Sequence, residues 1–243
     1  MRTRSTLLAL ASGLLLACGG AQSADAPASA PSAPEAAAEV VEEEAAPAPT
    51  ATLRFVHAAS APGVDIMAGD AMLLESVGAG NWNPERLTVP AGPHTINVAP
   101  TGTTDAVVSA DVELAADGNY TVVVVGDASS VMRDTMPTAI VLDDTTDAPA
   151  AGQAKVRFVH GVAGGPAVNI ATAEGRGFAA GVEYMGASAF YAVDAAQQEI
   201  VVSAGGDTLL SAPVGFAEGR LYTIIVSPSG DGVGAIVVNE GAL

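Results

Sequence analysis

Apolar and polar residues alternate along the first half of the region after residue 51, and no helical period interrupts them. Alternation with period two is typical of strands that bury one face. Turn signals such as Ala91-Gly92-Pro93 and Asp117-Gly118 separate the apolar runs. The pattern predicts eight strands, at 52–57, 63–68, 71–77, 85–89, 94–99, 106–114, 119–126 and 137–143. Short strands at this spacing predict an immunoglobulin-like antiparallel β-sandwich.

The same pattern occurs twice in the chain. Leu-Arg-Phe-Val-His at 53–57 corresponds to Val-Arg-Phe-Val-His at 156–160, and three further segments correspond in the same order. A fifth pair, at 139–142 and 235–238, is separated by fewer residues than the other four because one loop is shorter in the second copy. We therefore expect an all-β protein with two tandem sandwich domains, at 51–145 and 154–243, joined by a linker at 146–153.

A tyrosine opens a long apolar strand in each copy. Tyr120 follows Asp117-Gly118, and Tyr222 follows Glu218-Gly219. In immunoglobulin-like sandwiches a tyrosine at this corner bonds through its hydroxyl to upstream backbone. The sequence predicts such a tyrosine corner in both copies.

Three segments of the first copy resemble a known bacterial family, domain of unknown function four-three-nine-seven. They are Arg54-Phe-Val-His-Ala-Ala-Ser-Ala-Pro-Gly-Val-Asp-Ile66, Val89-Pro-Ala-Gly92 and Tyr120-Thr-Val-Val-Val-Val-Gly126. The second copy departs from the motif, since Gly161-Val162 stands where the family has Ala-Ser. The resemblance implies tandem domains on secreted or anchored bacterial proteins. It implies no established activity.

The N-terminal segment has the pattern of an export signal. Arg2 and Arg4 precede a ten-residue apolar run from Leu7 to Leu16. That run is too short to span about 30 Å of hydrocarbon as a helix. It ends in Leu15-Leu16-Ala17-Cys18-Gly19, which resembles the lipobox of bacterial lipoproteins. The resemblance implies a signal peptide at 1–17, cleavage before Cys18, and lipid on Cys18. Gly19 stands where an aspartate would resemble the inner-membrane retention signal of some bacteria, so the outer membrane is the expected location.

Residues 19–50 predict a disordered tether. Ala, Pro, Ser and Glu dominate this segment, and its six acids meet no base. Such a composition buries too little apolar surface to offset the entropy of ordering the chain. Residues 18–50 are therefore expected to hold the globular part at a distance from the lipid anchor.

Charge and cysteine content exclude several functions. The formal net charge is −18, from 27 acids against 9 bases. Nucleic-acid binding needs basic surface to displace counterions, so no nucleic-acid partner is expected. The single cysteine excludes an internal disulfide and a cysteine zinc site.

Candidate chemistry is sparse. His57 and His160 recur at equivalent strand ends; the expectation is a structural role, with metal or acid–base work as the alternative. His94 has no histidine counterpart, and no serine lies in a Gly-x-Ser-x-Gly elbow. We expect no catalytic residues and no cofactor.

Two loop segments remain as binding candidates. Asp143, Asp144 and Asp147 lie in the connection between the copies, where a solvated linker is expected and a calcium site is the alternative. Asn81-Trp82-Asn83 is interpreted as an insertion relative to the second copy that holds the only tryptophan. An exposed tryptophan flanked by amides is a candidate for contact with a glycan or peptide, and packing within the loop is the alternative.

Together these features predict a non-enzymatic surface protein, anchored to the membrane by lipid, that binds an envelope protein or glycan or serves as a spacer. A carbohydrate-binding or adhesive role through the loops at one sandwich end is the alternative. An envelope hydrolase is the third hypothesis and has the least support.

Overall fold

The computed structural model describes residues 48–230 and 232–242, so the predicted signal peptide, Cys18 and nearly all of the predicted tether lie outside the described residues. The described residues belong to one compact unit. Within the described residues no helix is long and apolar enough to cross a membrane. The described part is built from strands, with a single 3-10 turn at Arg133–Thr135.

Each copy of the repeat forms eight strands. Each strand predicted in the first copy begins and ends within two residues of an observed one, because the alternation of apolar side chains is visible in the sequence. The first copy contains β1 Thr50–His57, β2 Val64–Ala68, β3 Ala71–Val77, β4 Leu87–Pro90, β5 Gly92–Pro100, β6 Val108–Leu114, β7 Asn119–Val125 and β8 Thr138–Asp143. The second contains β9 Gln153–His160, β10 Val168–Thr172, β11 Gly177–Val182, β12 Tyr191–Asp194, β13 Gln197–Ala204, β14 Asp207–Gly215, β15 Arg220–Ser229 and β16 Gly232–Ala242.

The strands of each copy form two four-stranded sheets. Their orders are β4-β1-β7-β8 and β3-β2-β5-β6 in the first copy, and β12-β9-β15-β16 and β11-β10-β13-β14 in the second. This confirms two immunoglobulin-like sandwiches of the same topology. The pairing of neighbouring strands is antiparallel except at one place in each copy. β1 pairs parallel with β7, and β9 pairs parallel with β15. A parallel pair needs a long connection, which the chain makes by crossing to the opposite sheet between the two strands.

Each sandwich has its own apolar core between its two sheets. Phe55, Ile66 and Ile96 are fully buried in the first, and Phe158, Ile170 and Ile224 are buried in the second. Small and β-branched side chains provide most of the remaining packing, as the composition predicts.

The predicted tyrosine corner is present in both copies. The hydroxyl of Tyr120 accepts a hydrogen bond from the Ala115 N–H at 3.0 Å, and that of Tyr222 accepts one from the Ala217 N–H at 2.9 Å. Both bonds reach five residues back along the chain. The corner fixes the entry into β7 and β15, the long central strands of their sheets.

A third apolar cluster lies between the two sandwiches. It joins the outward faces of the β1 and β9 sheets and includes Val56, Val123 and Val125 from the first copy and Val159 and Ile225 from the second. These side chains are fully buried. The two sandwiches therefore pack against each other through the sheets that carry the repeated Arg-Phe-Val-His motif. We call this contact surface the joint.

Candidate functional site

The repeated motif divides its side chains between two environments. Successive residues of a strand point to opposite faces of the sheet. Phe55 packs in the core of its own sandwich, whereas Arg54 and Val56 contact the other sandwich. His57 follows the same alternation and shares the inward face with Phe55, as predicted from the sequence. The motif thus positions one histidine inside each sandwich and one arginine in the joint.

The two buried histidines bond differently. His57 is fully buried, and its Nε2 lies 2.9 Å from the Pro62 carbonyl oxygen. A carbonyl only accepts, so Nε2 carries the proton and Nδ1 is an acceptor. The Nδ1 of His57 has no partner among the described residues. In the second copy His160 donates to the Pro166 carbonyl in the same way, and its Nδ1 accepts the Val162 N–H at 3.3 Å.

Burial lowers the pKa of His57 below its ordinary value of 6.5, and the hydrogen bond to the Pro62 carbonyl opposes that shift. The pKa of His160 is lowered for the same reason. A buried imidazole favours the neutral form because the protein interior solvates its charge poorly. Both rings are therefore expected to be neutral near pH 7, with one donor and one acceptor each.

A cavity of about 360 Å³ lies beside His57 at one end of the first sandwich. We call it the His57 cavity. Its lining is mostly apolar and combines strand residues with loop residues, among them Val64, Val98, Val124, Ala128, Met136 and Pro137. Ser130 is the other side chain with a polar group in the lining. The lining contains no carboxylate, lysine, arginine or cysteine.

One wall of this cavity is the loop at 126–137, between β7 and β8. Twelve residues separate these strands, whereas two separate β15 from β16 at the same place in the second copy. The loop begins at Gly126, whose φ is +112°. A Cβ there would come within 2.5 Å of the Met136 carbonyl oxygen, so the close return of the loop requires glycine.

The 126–137 loop is held by its own hydrogen bonds. Asp127 accepts bonds from the backbone and hydroxyl of Ser129, at 2.8 and 2.7 Å. The Asp127 N–H donates to the Thr135 carbonyl, and the hydroxyls of Ser130 and Thr135 are 2.5 Å apart. The bonds from Ser129 lower the pKa of Asp127. These contacts fix the loop as a wall of the cavity.

The mouth of the cavity is apolar. Val107 and Met136 line the cavity and are also exposed, at 51% and 46%. The tip of the loop presents Val131 and Met132 to solvent, at 96% and 65% exposure. Single exposed apolar side chains are ordinary, but a group of them around a cavity is typical of a binding surface.

A second group of functional side chains lies in the joint, where it forms a buried ion-pair cluster. Arg54 donates to Glu240 at 2.6 Å and to the Asn239 carbonyl at 2.9 Å. Reciprocally, Arg157 donates to Asp144 and, at 2.9 Å, to the Asp143 carbonyl. The arginine of each copy therefore contacts the end of the last strand region of the other copy.

Other residues of the cluster break this reciprocity. Arg86 donates to Asp144 at 2.5 Å and to Glu240 at 2.7 Å, so three arginines share two carboxylates. In the second copy Phe190 precedes β12 as Arg86 precedes β4, and its ring lies 4.8 Å from the Arg157 guanidinium carbon. Burial raises the pKa of Glu240, with a further contribution from nearby Asp144, whereas the arginines lower it.

Comparison with known families identifies the repeat. A family model for the domain of unknown function DUF4397 matches residues 51–171 and again residues 155–242. The chain belongs to the DUF4397 family. This confirms the resemblance seen in the sequence motifs. No curated protein matches the chain.

Three solved structures share a distant likeness with this DUF4397 protein. A family 26 carbohydrate-binding module from Eubacterium rectale, in complex with maltoheptaose, has 12% identity and a TM-score of 0.26, over 76% of this chain and 95% of that chain. The Bacillus anthracis TIE protein has 11% identity and a TM-score of 0.23, over 74% and 34%. A candidate cell adhesion protein from Bacteroides uniformis has 12% identity and a TM-score of 0.20, over 80% and 99%. At these values the structures support no inference about a ligand or partner.

The three acidic candidates of the DUF4397 chain lie in different environments. Asp143 and Asp147 are exposed, and Asp143 accepts the Thr145 N–H at 2.8 Å. Asp144 is 3% exposed and pairs with Arg86 and Arg157. The expectation of a fully solvated run is therefore wrong at Asp144, because the joint buries it against arginines. No group of three or more histidine, cysteine or acidic residues in the described part of the chain is arranged to hold a metal ion.

The Asn81-Trp82-Asn83 segment packs partly into the protein. Trp82 is half-buried against the apolar cluster of the joint, and Asn81 is exposed. Asn83 is buried; its Oδ1 accepts the Phe55 N–H at 2.6 Å, and its amide donates to the Glu85 carbonyl. The segment is not an insertion. Its loop at 78–86 corresponds to 183–190 in the second DUF4397 copy, where the Ser188 hydroxyl accepts the Phe158 N–H as Asn83 does for Phe55.

Sequence reasoning missed the two features that define these sites. The cavity depends on the loop at 126–137, whose extra length was visible as a shorter loop in the second copy. The joint depends on Arg54 and Arg157, which were visible as charged residues inside an apolar strand motif that occurs twice.

Proposed function

We propose that this protein is a lipid-anchored, non-enzymatic binding protein of the bacterial cell envelope, and that its binding end is the His57 cavity with the 126–137 loop. The observation that carries the proposal is the apolar cavity with exposed Val131 and Met132 beside it. The loop that builds this end has no counterpart of similar length in the second copy. A plain spacer would have no need of a long loop with exposed Val131 and Met132 in one copy alone.

The position of the cavity supports presentation away from the anchor. The chain enters the first sandwich at Thr50, the first residue of β1, and His57 is the last residue of that strand. Seven residue steps of extended strand cover about 23 Å. The cavity therefore lies at the opposite end of β1 from the segment that leads back to Cys18.

The chemistry of the cavity supports binding rather than catalysis. Acid–base or nucleophilic catalysis needs a second polar group to orient or activate the first. The ring of His57 bonds to a backbone carbonyl, and Ser130 bonds to Thr135. No carboxylate lines the cavity to complete a catalytic set.

Glycan contact at Trp82 has less support. Part of the indole packs on the joint, and both polar groups of the Asn83 side chain are occupied by backbone partners. A sugar-binding platform needs a free aromatic face and free amides. The end of the first sandwich is therefore the better candidate surface.

Site-specific photo-crosslinking in living cells tests the binding end. A photoreactive residue is placed at Val131, and the control is placed at Leu209, which is also exposed but lies in the second sandwich. We expect a crosslinked envelope product at Val131 and none at Leu209. Equal crosslinking at the two positions, or none at Val131, would contradict the assignment.

Lipid labelling tests the anchor independently. Cells fed an alkyne-bearing fatty acid are expected to label the wild-type protein and not the Cys18→Ser variant. Equal labelling of both proteins would show that Cys18 is not the lipidation site.

A further inference from the structure

We infer that a groove between the two sandwiches, beside Trp82, takes an aromatic side chain of a partner polypeptide, in the place that Tyr184 fills in the other half of the joint. We call it the Trp82 groove. It shares only Ala59 with the lining of the His57 cavity, so it is a separate site that does not depend on the proposed binding end.

The Trp82 groove has a volume of about 600 Å³ and is lined by both copies. The first copy contributes one aromatic residue and several small ones, namely Trp82, Ala58, Ala59, Ala79 and Gly80. The second copy contributes residues 227–229 of β15 and 234–237 of β16. Among the described residues no charged side chain lines the groove, so an uncharged group suits it better than an ion.

Backbone hydrogen bonds show which residues of the two copies correspond around the groove. The carbonyl of the motif histidine accepts an N–H from position 80 in the first copy and from position 185 in the second. The preceding residues, Ala79 and Tyr184, are therefore equivalent. The second copy has a tyrosine ring where the first copy has only the methyl group that lines the groove.

Tyr184 shows what the equivalent space accepts. Its side chain packs against the apolar cluster of the joint, and its ring meets the His160 ring edge-on, with the centroids 6.4 Å apart. The Tyr184 hydroxyl is buried without a partner among the described residues, so the ring and not the hydroxyl provides the packing. Because the ion pairs of the joint are reciprocal, the Trp82 groove is the open counterpart of this packing site.

Trp82 adds an aromatic wall that the other half of the joint lacks. The bridges of Val56 with Trp82 and of Val159 with Ala187 make the indole equivalent to a methyl group in the second copy. Part of the indole packs on the joint, and Trp82 also lines the groove. Two aromatic rings in offset or edge-to-face contact gain more than their buried area alone provides. A ring entering the groove is therefore favoured over an aliphatic group of similar size.

The second copy leaves the groove open because its last turn is short. The twelve-residue loop of the first copy reaches across to the second, since a Cβ on Gly164 would lie 3.6 Å from the methyl carbon of Thr135. Only two residues separate β15 from β16, the strands that line the groove. This turn is too short to reach across in the same way.

The chain itself has no aromatic side chain to place in the groove. Residues 1–47, which precede the described part, contain no phenylalanine, tyrosine or tryptophan. All aromatic residues of the chain lie in the described part, and each is buried or half-buried, so a second copy presents no exposed ring. The occupant is therefore a different polypeptide with an exposed aromatic residue, the type of side chain that is enriched at the centres of protein interfaces.

Two capped amino acids test the inference through the indole N–H signal of Trp82, the only tryptophan of the chain. N-acetylphenylalaninamide and N-acetylcyclohexylalaninamide have similar size and the same backbone, and only the first is aromatic. Each is titrated by NMR into the full-length chain carrying Cys18→Ser, which has no lipidation site. We expect the indole signal to shift saturably with the aromatic probe, which should bind about two- to tenfold more tightly than the aliphatic one, the factor that aromatic contact adds.

The Ala79→Tyr variant supplies the ring from within the chain, as Tyr184 does, and should abolish the shift. Ala71→Tyr, at an exposed position of β3, is the matched control and should leave the shift unchanged. Should Ala79→Tyr fail to fold, the comparison of the two probes still decides, because it uses the groove with its own residues. Equal affinities of the two probes, no saturable shift, or an unchanged shift in folded Ala79→Tyr would overturn the inference. Crosslinking at Val131 does not involve Trp82, so the two sites succeed or fail independently.

Discussion

Replacing Asp144 by asparagine tests whether the joint depends on its buried charges. The change keeps the shape of the side chain and removes one of the two carboxylates that three arginines share. Asp144 is 3% exposed, so water cannot replace the lost charge. Its two oxygens accept bonds from Arg86, Arg157 and Thr121.

The expected loss of unfolding free energy is about 3–5 kcal/mol, the range measured when one partner of a buried ion pair is removed. Two charge-assisted bonds to arginine, each contributing about 1.5–3 kcal/mol, give a similar figure. Asn at this position also turns an amide N–H toward guanidinium groups, which are donors only. An exposed ion pair would instead contribute about 0–1 kcal/mol.

Urea unfolding followed by circular dichroism measures the loss, and Asp143→Asn is the matched control. Asp143 is the preceding residue, its side chain is exposed, and it bonds only to the Thr145 N–H, a bond that asparagine can keep. The control should change stability by less than about 0.5 kcal/mol. A double-mutant cycle with Arg157→Met should show coupling, because the two side chains bond directly. A loss below about 1 kcal/mol for Asp144→Asn, or additive effects in the cycle, would refute the reasoning.

Four further perturbations probe the same structure. Burial lowers the pKa of both histidines below 6.5 in the folded chain, so the unfolded chain binds more protons as the pH falls. The contribution of the two neutral rings to the unfolding free energy should therefore be fully present above about pH 6.5 and decrease as the pH drops toward the folded pKa. Titration of the rings by NMR with a midpoint at or above 6.5 would contradict this. Tyr222→Phe should cost about 1 kcal/mol and more than Tyr120→Phe, since the Ala217 bond is the more buried; urea midpoints in the reverse order would argue against it. Gly161→Ala should cost about 1–3 kcal/mol in a melting experiment, because its Cβ would lie 3.0 Å from the Val226 carbonyl oxygen and 3.1 Å from Val125 of the opposing sandwich; a neutral effect would contradict tight packing at this position. After proteolysis of the connection between the copies, the halves should coelute in size-exclusion chromatography, and separate elution would show that the joint is weak.

The positions of the strands could be predicted from the sequence because the pattern that specifies each strand is local. Alternating apolar residues and Gly or Asp-Gly turns specify each strand without reference to its partners, so the eight strands of the first copy were placed to within two residues. Parallel pairing of β1 with β7 was not predicted. That choice is made by strands 60 and more residues apart, and no local pattern records it.

The joint could not be predicted because its partners come from opposite ends of the chain. Arg54 and Glu240 are 186 residues apart, and each looks like a solvated side chain in its own segment. Asp144 was assigned to a solvated acidic run for the same reason. The informative signal was the arginine itself, which lies between fully buried Leu53 and Phe55 and recurs as Arg157. A charged residue at an outward position of two central strands indicates a partner for that face.

The cavity shows how a small difference between copies changes the chemistry of a shared residue. His57 and His160 have the same motif, the same burial and the same Nε2 bond. They differ in whether a backbone N–H reaches Nδ1. The motif alone therefore predicts a structural histidine in both copies, and only the three-dimensional arrangement shows that one of them keeps a free acceptor.

The reciprocal contacts of the joint explain where the two copies are free to differ. Arg54 reaches the second copy at residues 239–240 and Arg157 reaches the first at residues 143–144, as in an interface with two-fold symmetry, so a change on this face alters contacts in both directions. The ends of the sandwiches carry no such constraint, because a longer loop there leaves the reciprocal ion pairs intact. The largest difference between the copies, the loop at 126–137, lies at such an end and walls the only described cavity that contains His57. The reciprocal ion pairs thus stabilise the contact between the copies, and the loop at 126–137 gives the first copy a cavity wall that the second lacks. These two features favour the first sandwich over the joint as the proposed binding end.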